Sequence, residues 1–313
     1  MPYMKIFKNV LAFALVGFLL YKVGLADIWQ QVSQITVPSI IYLMFISLVL
    51  VYISALKWKL FLEVYAEKVS IIKLFSLYLV GYFINLIIPS YVGGDAVRSW
   101  HIGKKVGQHQ ALAATVLERY TGIVAMLSMA FVFMWFIDVT MQIELLIAAM
   151  TLGCALASIL ILSPFFVAIL EKLRLPEKIM RHFLRVRDAL NLARTNIPLF
   201  SKALLLSYLF HTVAVVNVMA AAYAVGWTEV PVLSLFIVLP IILLIGSVPI
   251  TPSGLGLQEG AYYFFLQSLG ATSTEATAVA LILRAKSYVL ALIGGIIWLF
   301  IKKEKNVPPA TTV

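Results

Sequence analysis

Residues 70–106 read SIIKLFSLYLVGYFINLIIPSYVGGDAVRSWHIGKKV, and the way this stretch sits in a membrane decides the fold. Its apolar part, 70–89, has the roughly 20 residues that a helix needs to cross about 30 Å of hydrocarbon. Basic residues bound it on both sides: Lys57, Lys59, Lys68 and Lys73 at one end, Arg98, Lys104 and Lys105 at the other. Short loops rich in Lys and Arg stay on the cytoplasmic side, so a single crossing conflicts with the charge. Residues 93–106 cannot return through lipid either, because each central charge costs about 2.5–3.5 kcal/mol. A hairpin that dips in from the cytoplasm and leaves on the same side satisfies both constraints. Irregular backbone at that depth must be buried in protein or line a wet cavity.

The rest of the chain places this hairpin in a polytopic membrane protein. Of its 313 residues 62% are hydrophobic and 12% charged, with a mean hydropathy of +1.00. A soluble domain carries about twice that charged fraction. Further apolar runs lie at 6–24, 38–56, 111–136, 142–170, 199–225, 231–250, 255–269 and 274–301. The loop 171–202 holds eight Lys and Arg, and the tail adds Lys302, Lys303 and Lys305. The loops 25–37, 137–141 and 226–230 hold none, so they face outward. Lys5 and Lys8 before the first run give it a signal-peptide look, but its length and the spans after it favour an uncleaved helix. The net charge of +10 is thereby explained by orientation and by anionic headgroups, and no nucleic-acid signature is present.

Residues 231–269 form the matching hairpin, entering from outside. Leu74-Phe75 runs into Pro89-Ser90-Tyr91-Val92-Gly93-Gly94-Asp95, as Leu235-Phe236 runs into Pro252-Ser253-Gly254-Leu255-Gly256 with Glu259 beyond. An arginine follows each hairpin, Arg119 and Arg284, about 12 and 15 Å along their apolar runs at 1.5 Å per residue. The expectation is an all-α membrane protein with about six full spans and two oppositely oriented re-entrant hairpins. It forms a single transmembrane domain over 1–313: a first repeat at 38–136, a connecting span at 142–170 and an inverted second repeat at 199–301. Inverted repeats of this kind mark secondary transporters, whose sites lie near midplane at broken helices.

The residues with chemistry cluster around those breaks. Arginine in mid-membrane is usually paired and functional. Arg119 and Arg284 are either guanidinium forks for a lipid phosphate or halves of salt bridges with Glu118, Glu259 or Asp95. Lys286 points about 200° from Arg284 on an ideal helix, towards another wall or towards Glu275 or Glu259. The breaks at Pro252, Gly254 and Gly256 leave a helix N-terminus that suits an anion, beside Ser253 and Gln258. Glu259 in its first turn either caps that helix or pairs with a cation. Asn85, Pro89, Gly93, Gly94, Asp95 and Arg98 make the analogous inner loop, with Asp95 alternatively a helix cap.

No cofactor is expected. His101, His109 and His182 lie in polar loops, and His211 has no ligand at helical spacing, so no metal site is expected. Leu255 stands where the membrane lipid phosphatase signature that Pro252-Ser253-Gly254 partly matches has a histidine. No nucleophile–base pair and no Walker loop are found. Cys154, the single cysteine, reads as a small buried apolar residue.

Three segments together resemble a known family: Pro89–Asp95 as quoted, Leu117-Glu118-Arg119, and Pro252-Ser253-Gly254-Leu255-Gly256-Leu257-Gln258-Glu259-Gly260. They are similar to the flippase-like transmembrane domain of the lysylphosphatidylglycerol synthetases, which many stand-alone prokaryotic membrane proteins share. The resemblance spans nearly the whole chain. It implies translocation of a lipid with a polar headgroup in a prokaryotic cytoplasmic membrane; the basic segments place both termini inside, and the two arginines point to a phosphate-bearing headgroup. Membrane lipids, anionic or phosphate-bearing, are then the partners. Only a short tail follows Ile301, so lipid synthesis is not expected. A lipid-headgroup-modifying enzyme and a transporter of a small solute are the competing classes.

Overall fold

The computed structural model describes residues 2–65, 68–87, 93–137, 140–163 and 195–301, with isolated positions between them. The hairpin tip at 88–92, with Pro89, most of the basic loop and the tail after Ile301 lie outside the described residues. Every regular element among those described is helical.

Helix α1 (Pro2–Val23) bends by 84° at Gly24 into α2 (Leu25–Ser33), whose first turn carries Asp27. Gly24 takes φ of 95°, a left-handed conformation costly to any residue with a Cβ. The stretch after Gly24, expected to be a bare outer loop, is thus largely helical. α3 (Val37–Leu62) starts sharply: the Thr36 hydroxyl accepts from the Ser39 N–H, and Pro38 occupies the first turn. α4 (Ile71–Ile87) and α5 (Gly93–Val106) follow, then α6 (Gln108–Phe133) and α7 (Met141–Leu162). α8 (Ile197–Ala224) opens with an Asn196 cap. α9 (Val232–Ser247) carries a buried Pro240, and a short 3-10 turn (Pro252–Gly254) leads to α10 (Leu257–Ser268). α11 (Ser273–Phe300) starts with a reciprocal cap between Thr272 and Glu275.

Five of these, α3, α6, α7, α8 and α11, are long and apolar enough to span a bilayer, and the bent α1–α2 pair makes a sixth if counted as one. This is a multi-pass, all-α membrane protein, and the span count agrees with the charge-guided reading. α4 and α9 are shorter apolar helices. α4 packs on α5, and α9 on α10. α7 packs on α6 and leaves Leu145, Leu152, Leu156 and Ile159 exposed, as a lipid-facing helix should.

The buried residues form two main cores at different levels. One gathers Leu43 of α3, the second half of α8, α9, α10 and the first half of α11. The other gathers Val51–Leu62 positions of α3, α4, α5, the start of α6, Ala203 of α8 and Leu290 of α11. Thus α3, α8 and α11 each run through both cores, and each short helix pair sits in its own. Where α11 crosses α4 the backbones nearly touch, since a Cβ on Gly294 would strike the Leu79 carbonyl and one on Gly295 the Phe83 ring.

Candidate functional site

Each short helix pair closes by a glycine-to-glycine approach. A Cβ on Gly94 would collide with the Gly81 carbonyl, and one on Gly254, at φ of 68°, with the Gly246 carbonyl. Directly after each approach an acidic side chain meets an arginine from the next long helix. Asp95 takes Arg119 in a two-point grip, Nε to Oδ2 and Nη2 to Oδ1, both 2.9 Å. Glu259 takes the Nε of Arg284. The partners lie 24 residues apart in the first case and 25 in the second. Each arginine is also the twelfth residue of its helix, roughly 17 Å from the helix start at 1.5 Å per residue.

The two clusters differ in what remains free. Around Asp95 the charges form a chain. Arg98 donates to Asp95 at 3.0 Å and to Glu118 at 2.5 Å, and Lys57 lies 4.0 Å from Glu118. Arg98 is 1% exposed, its guanidinium 4.3 Å from the Trp58 ring and 4.2 Å from that of Tyr78. Such cation–π contacts and ion pairs offset the cost of desolvating the charge. Three cations therefore face two carboxylates. Arg119 is the outermost: its side chain is 51% exposed, and its Nη1 has no partner among the described residues. A guanidinium so placed can give its remaining N–H groups to an anion.

Around Glu259 the arginine is spent on the protein. Besides Glu259, Arg284 donates to the carbonyls of Ser253 at 3.1 Å and Gly254 at 3.3 Å, and to Gln258 Oε1 at 3.3 Å. Glu259 in turn accepts from the Gly256 N–H at 2.7 Å, closing the first turn of α10. Capping and ion pairing, read from the sequence as alternatives, are both present in this one residue. Gly256 itself adopts φ of 79° with its α face against Leu15 of α1, so no larger residue fits there.

Among the described residues one polar contact joins the clusters. The Ser253 hydroxyl donates to the Asn85 carbonyl at 2.7 Å, while the Asn85 side chain accepts from the Gly94 N–H, also at 2.7 Å. Ser253 is held at φ of 50°, a strained value for a residue with a side chain.

The expected site residues are therefore brought together as two linked groups, not as one lined cavity. Arg98, Glu118 and Glu259, expected to touch a lipid, are almost fully buried and build the scaffold behind Arg119 and the second loop. In this structure these three side chains are engaged in ion pairs within the protein, the alternative that the sequence also offered for Glu118 and Glu259. Gly93 opens α5, and its neighbour Gly94 makes the backbone contact. Lys286 has no ion-pair partner among the described residues, as Glu275 caps α11 and Glu259 is taken by Arg284. Lys57 was read from sequence as a loop lysine and is instead a buried member of the first cluster. Its position beside Ala55, Trp58 and Phe61 on the buried face of α3 was the available signal.

The lysylphosphatidylglycerol synthase TM region family matches residues 5–295. The chain belongs to this family. Within the family's span lie both glycine-closed helix pairs and both arginine–carboxylate clusters. A UPF0104 membrane protein of Methanothermobacter thermautotrophicus is 24% identical over 320 residues, covering 92% of this chain and 91% of that relative. This lysylphosphatidylglycerol synthase TM region protein has no significant match among solved structures.

Proposed function

We propose that this protein moves a lipid with a phosphate-bearing headgroup between leaflets, the headgroup passing beside Arg119. The carrying observation is the half-exposed Arg119 fork, backed by a buried cluster with one cation in excess. Anionic headgroups are drawn to such a charge, and a guanidinium holds phosphate bidentately. Membership of a family named for the transmembrane region of a lipid synthase supports the substrate class. Aminoacyl phospholipids, other phospholipids and polyprenyl-phosphate-linked sugars all carry the required group.

In this reading the two glycine-closed helix pairs are re-entrant gates of opposite orientation. Their matched geometry, and their separate cores at two levels of the long helices, support that inverted arrangement. The Ser253–Asn85 bond latches one gate to the other. Acyl tails stay in the bilayer throughout, and the headgroup alone crosses the protein. The membrane is the prokaryotic cytoplasmic membrane, with both termini inside. Transfer runs downhill or on an ion gradient, and no catalytic step is assigned.

Reconstitution into liposomes with labelled phospholipids and polyprenyl phosphates tests the reading. Leaflet exchange is expected in wild type, nearly absent in Arg119→Ala and partly kept in Arg119→Lys. Headgroup turnover without exchange would replace this reading with an enzyme. Uptake of a water-soluble solute would replace it with a solute transporter.

A further inference from the structure

A cavity of about 520 Å³ opens at the end of α11 between α4 and α5, away from the two arginine clusters and sharing no residue with them. Its polar groups are Lys73, Ser76, His101 and Lys104; Leu77, Ile297 and Phe300 supply much of its apolar wall. Among the described residues that line it none is acidic. Lys73 lies in the first turn of α4, Lys104 in the last turn of α5, and Phe300 ends α11. The cationic rim and the apolar wall therefore meet at the level where helices end. In a membrane protein that is the boundary between headgroups and acyl chains. His101 is set edge-on to both Trp100 and Trp298, at 5.2 and 5.4 Å, and the Lys104 amine lies 4.1 Å from the Trp100 ring centroid. Aromatic rings beside cations are typical of that boundary.

We propose that this cavity is a resident site for an anionic phospholipid of the leaflet on the basic side. The phosphate lies between Lys73, His101 and Lys104, and one acyl chain follows Leu77, Ile297 and Phe300. The volume is within the roughly 300–1,000 Å³ usual for small-molecule sites, enough for a headgroup and the upper part of a chain. The lipid is held and not transported, so the site stands whether or not the protein exchanges lipid at Arg119.

Trp100 and Trp298 provide the readout. Purified, delipidated full-length protein is titrated with brominated phosphatidylglycerol or brominated phosphatidylcholine, and tryptophan quenching is followed. Phosphatidylglycerol should half-saturate at roughly 25-fold lower concentration than phosphatidylcholine, as about fivefold for each of two lysines implies. That preference should vanish in Lys73→Gln/Lys104→Gln and persist in Arg119→Ala. The phosphatidylglycerol-selective part of the quenching should be lost in Trp100→Phe/Trp298→Phe, while non-selective quenching of exposed Trp29 and Trp135 remains. If the double lysine variant does not fold, high salt on wild type decides: it should abolish the preference and leave phosphatidylcholine quenching unchanged. Equal quenching by both lipids, or a preference that survives loss of both lysines or high salt, overturns the proposal. Displacement of phosphatidylglycerol by millimolar inorganic phosphate also overturns it, in favour of a free-phosphate site.

Discussion

Arg284→Ala removes a guanidinium that donates to Glu259, to the carbonyls of Ser253 and Gly254, and to Gln258. Among the described residues the carboxylate of Glu259, 3% exposed, then keeps only the Gly256 N–H as a partner. Removing one member of a buried ion pair costs about 3–5 kcal/mol, since it strands the other charge. The retained N–H bond and the 14% exposure of Arg284 place the expected loss near the lower end, about 3 kcal/mol. At about 2–4 °C per kcal/mol for a domain of 150–250 residues, the melting temperature should fall by on the order of 10 °C. Thermal unfolding in detergent, followed by loss of the monodisperse chromatographic peak, measures this. Glu259→Gln added to Arg284→Ala removes the stranded charge and should recover a good part of the loss. A single variant that melts with wild type would refute the argument, as would a double variant that melts no higher than the single one.

Arg119→Ala should behave oppositely. Its half-exposed side chain contributes less than about 1 kcal/mol, and Asp95 keeps the Arg98 Nε, so melting should barely change while lipid exchange collapses. A melting drop matching that of Arg284→Ala would assign Arg119 a structural role instead. Gly94→Ala should destabilise by about 1–3 kcal/mol, because the opposing group is the Gly81 backbone and cannot rotate away; an unchanged melt would contradict the packing. Ser253→Ala deletes the bond to Asn85, worth about 0.5–1.5 kcal/mol, and should alter the exchange rate by about 2–10-fold with the lipid preference unaltered. An unaltered rate would separate this contact from gating.

Much of this architecture could be read before any coordinates. Apolar run lengths located α3, α6, α7, α8 and α11, because crossing hydrocarbon leaves few alternatives to a helix of that length. Arg119 and Arg284 stood out for the same reason, a charge where lipid is expected. What stayed hidden were pairings set by tertiary packing. Nothing in local sequence says that Asp95 takes Arg119 in two places, or that Arg284 turns inward onto Ser253 and Gly254 while Arg119 stays half open. The burial of Arg98 was hidden because its partners Trp58 and Tyr78 come from two other helices. Lys57 was misplaced because charge counting treats a lysine near a polar segment as solvated, although its helix face was apolar. The bend at Gly24 was not legible, since its left-handed φ depends on where α2 docks.

The three long helices that thread both cores have a mechanical consequence. α3, α8 and α11 are each clamped near one end in one apolar cluster and near the other end in the second. A stiff rod held so cannot shift at one face without swinging at the other about a point between the clamps. On α11 the second clamp is tightened where Gly294 crosses Leu79 and Val80 of α4, a contact with no side chain to compress. A displacement of one of these helices at one face is thereby converted to displacement at the opposite face by leverage alone.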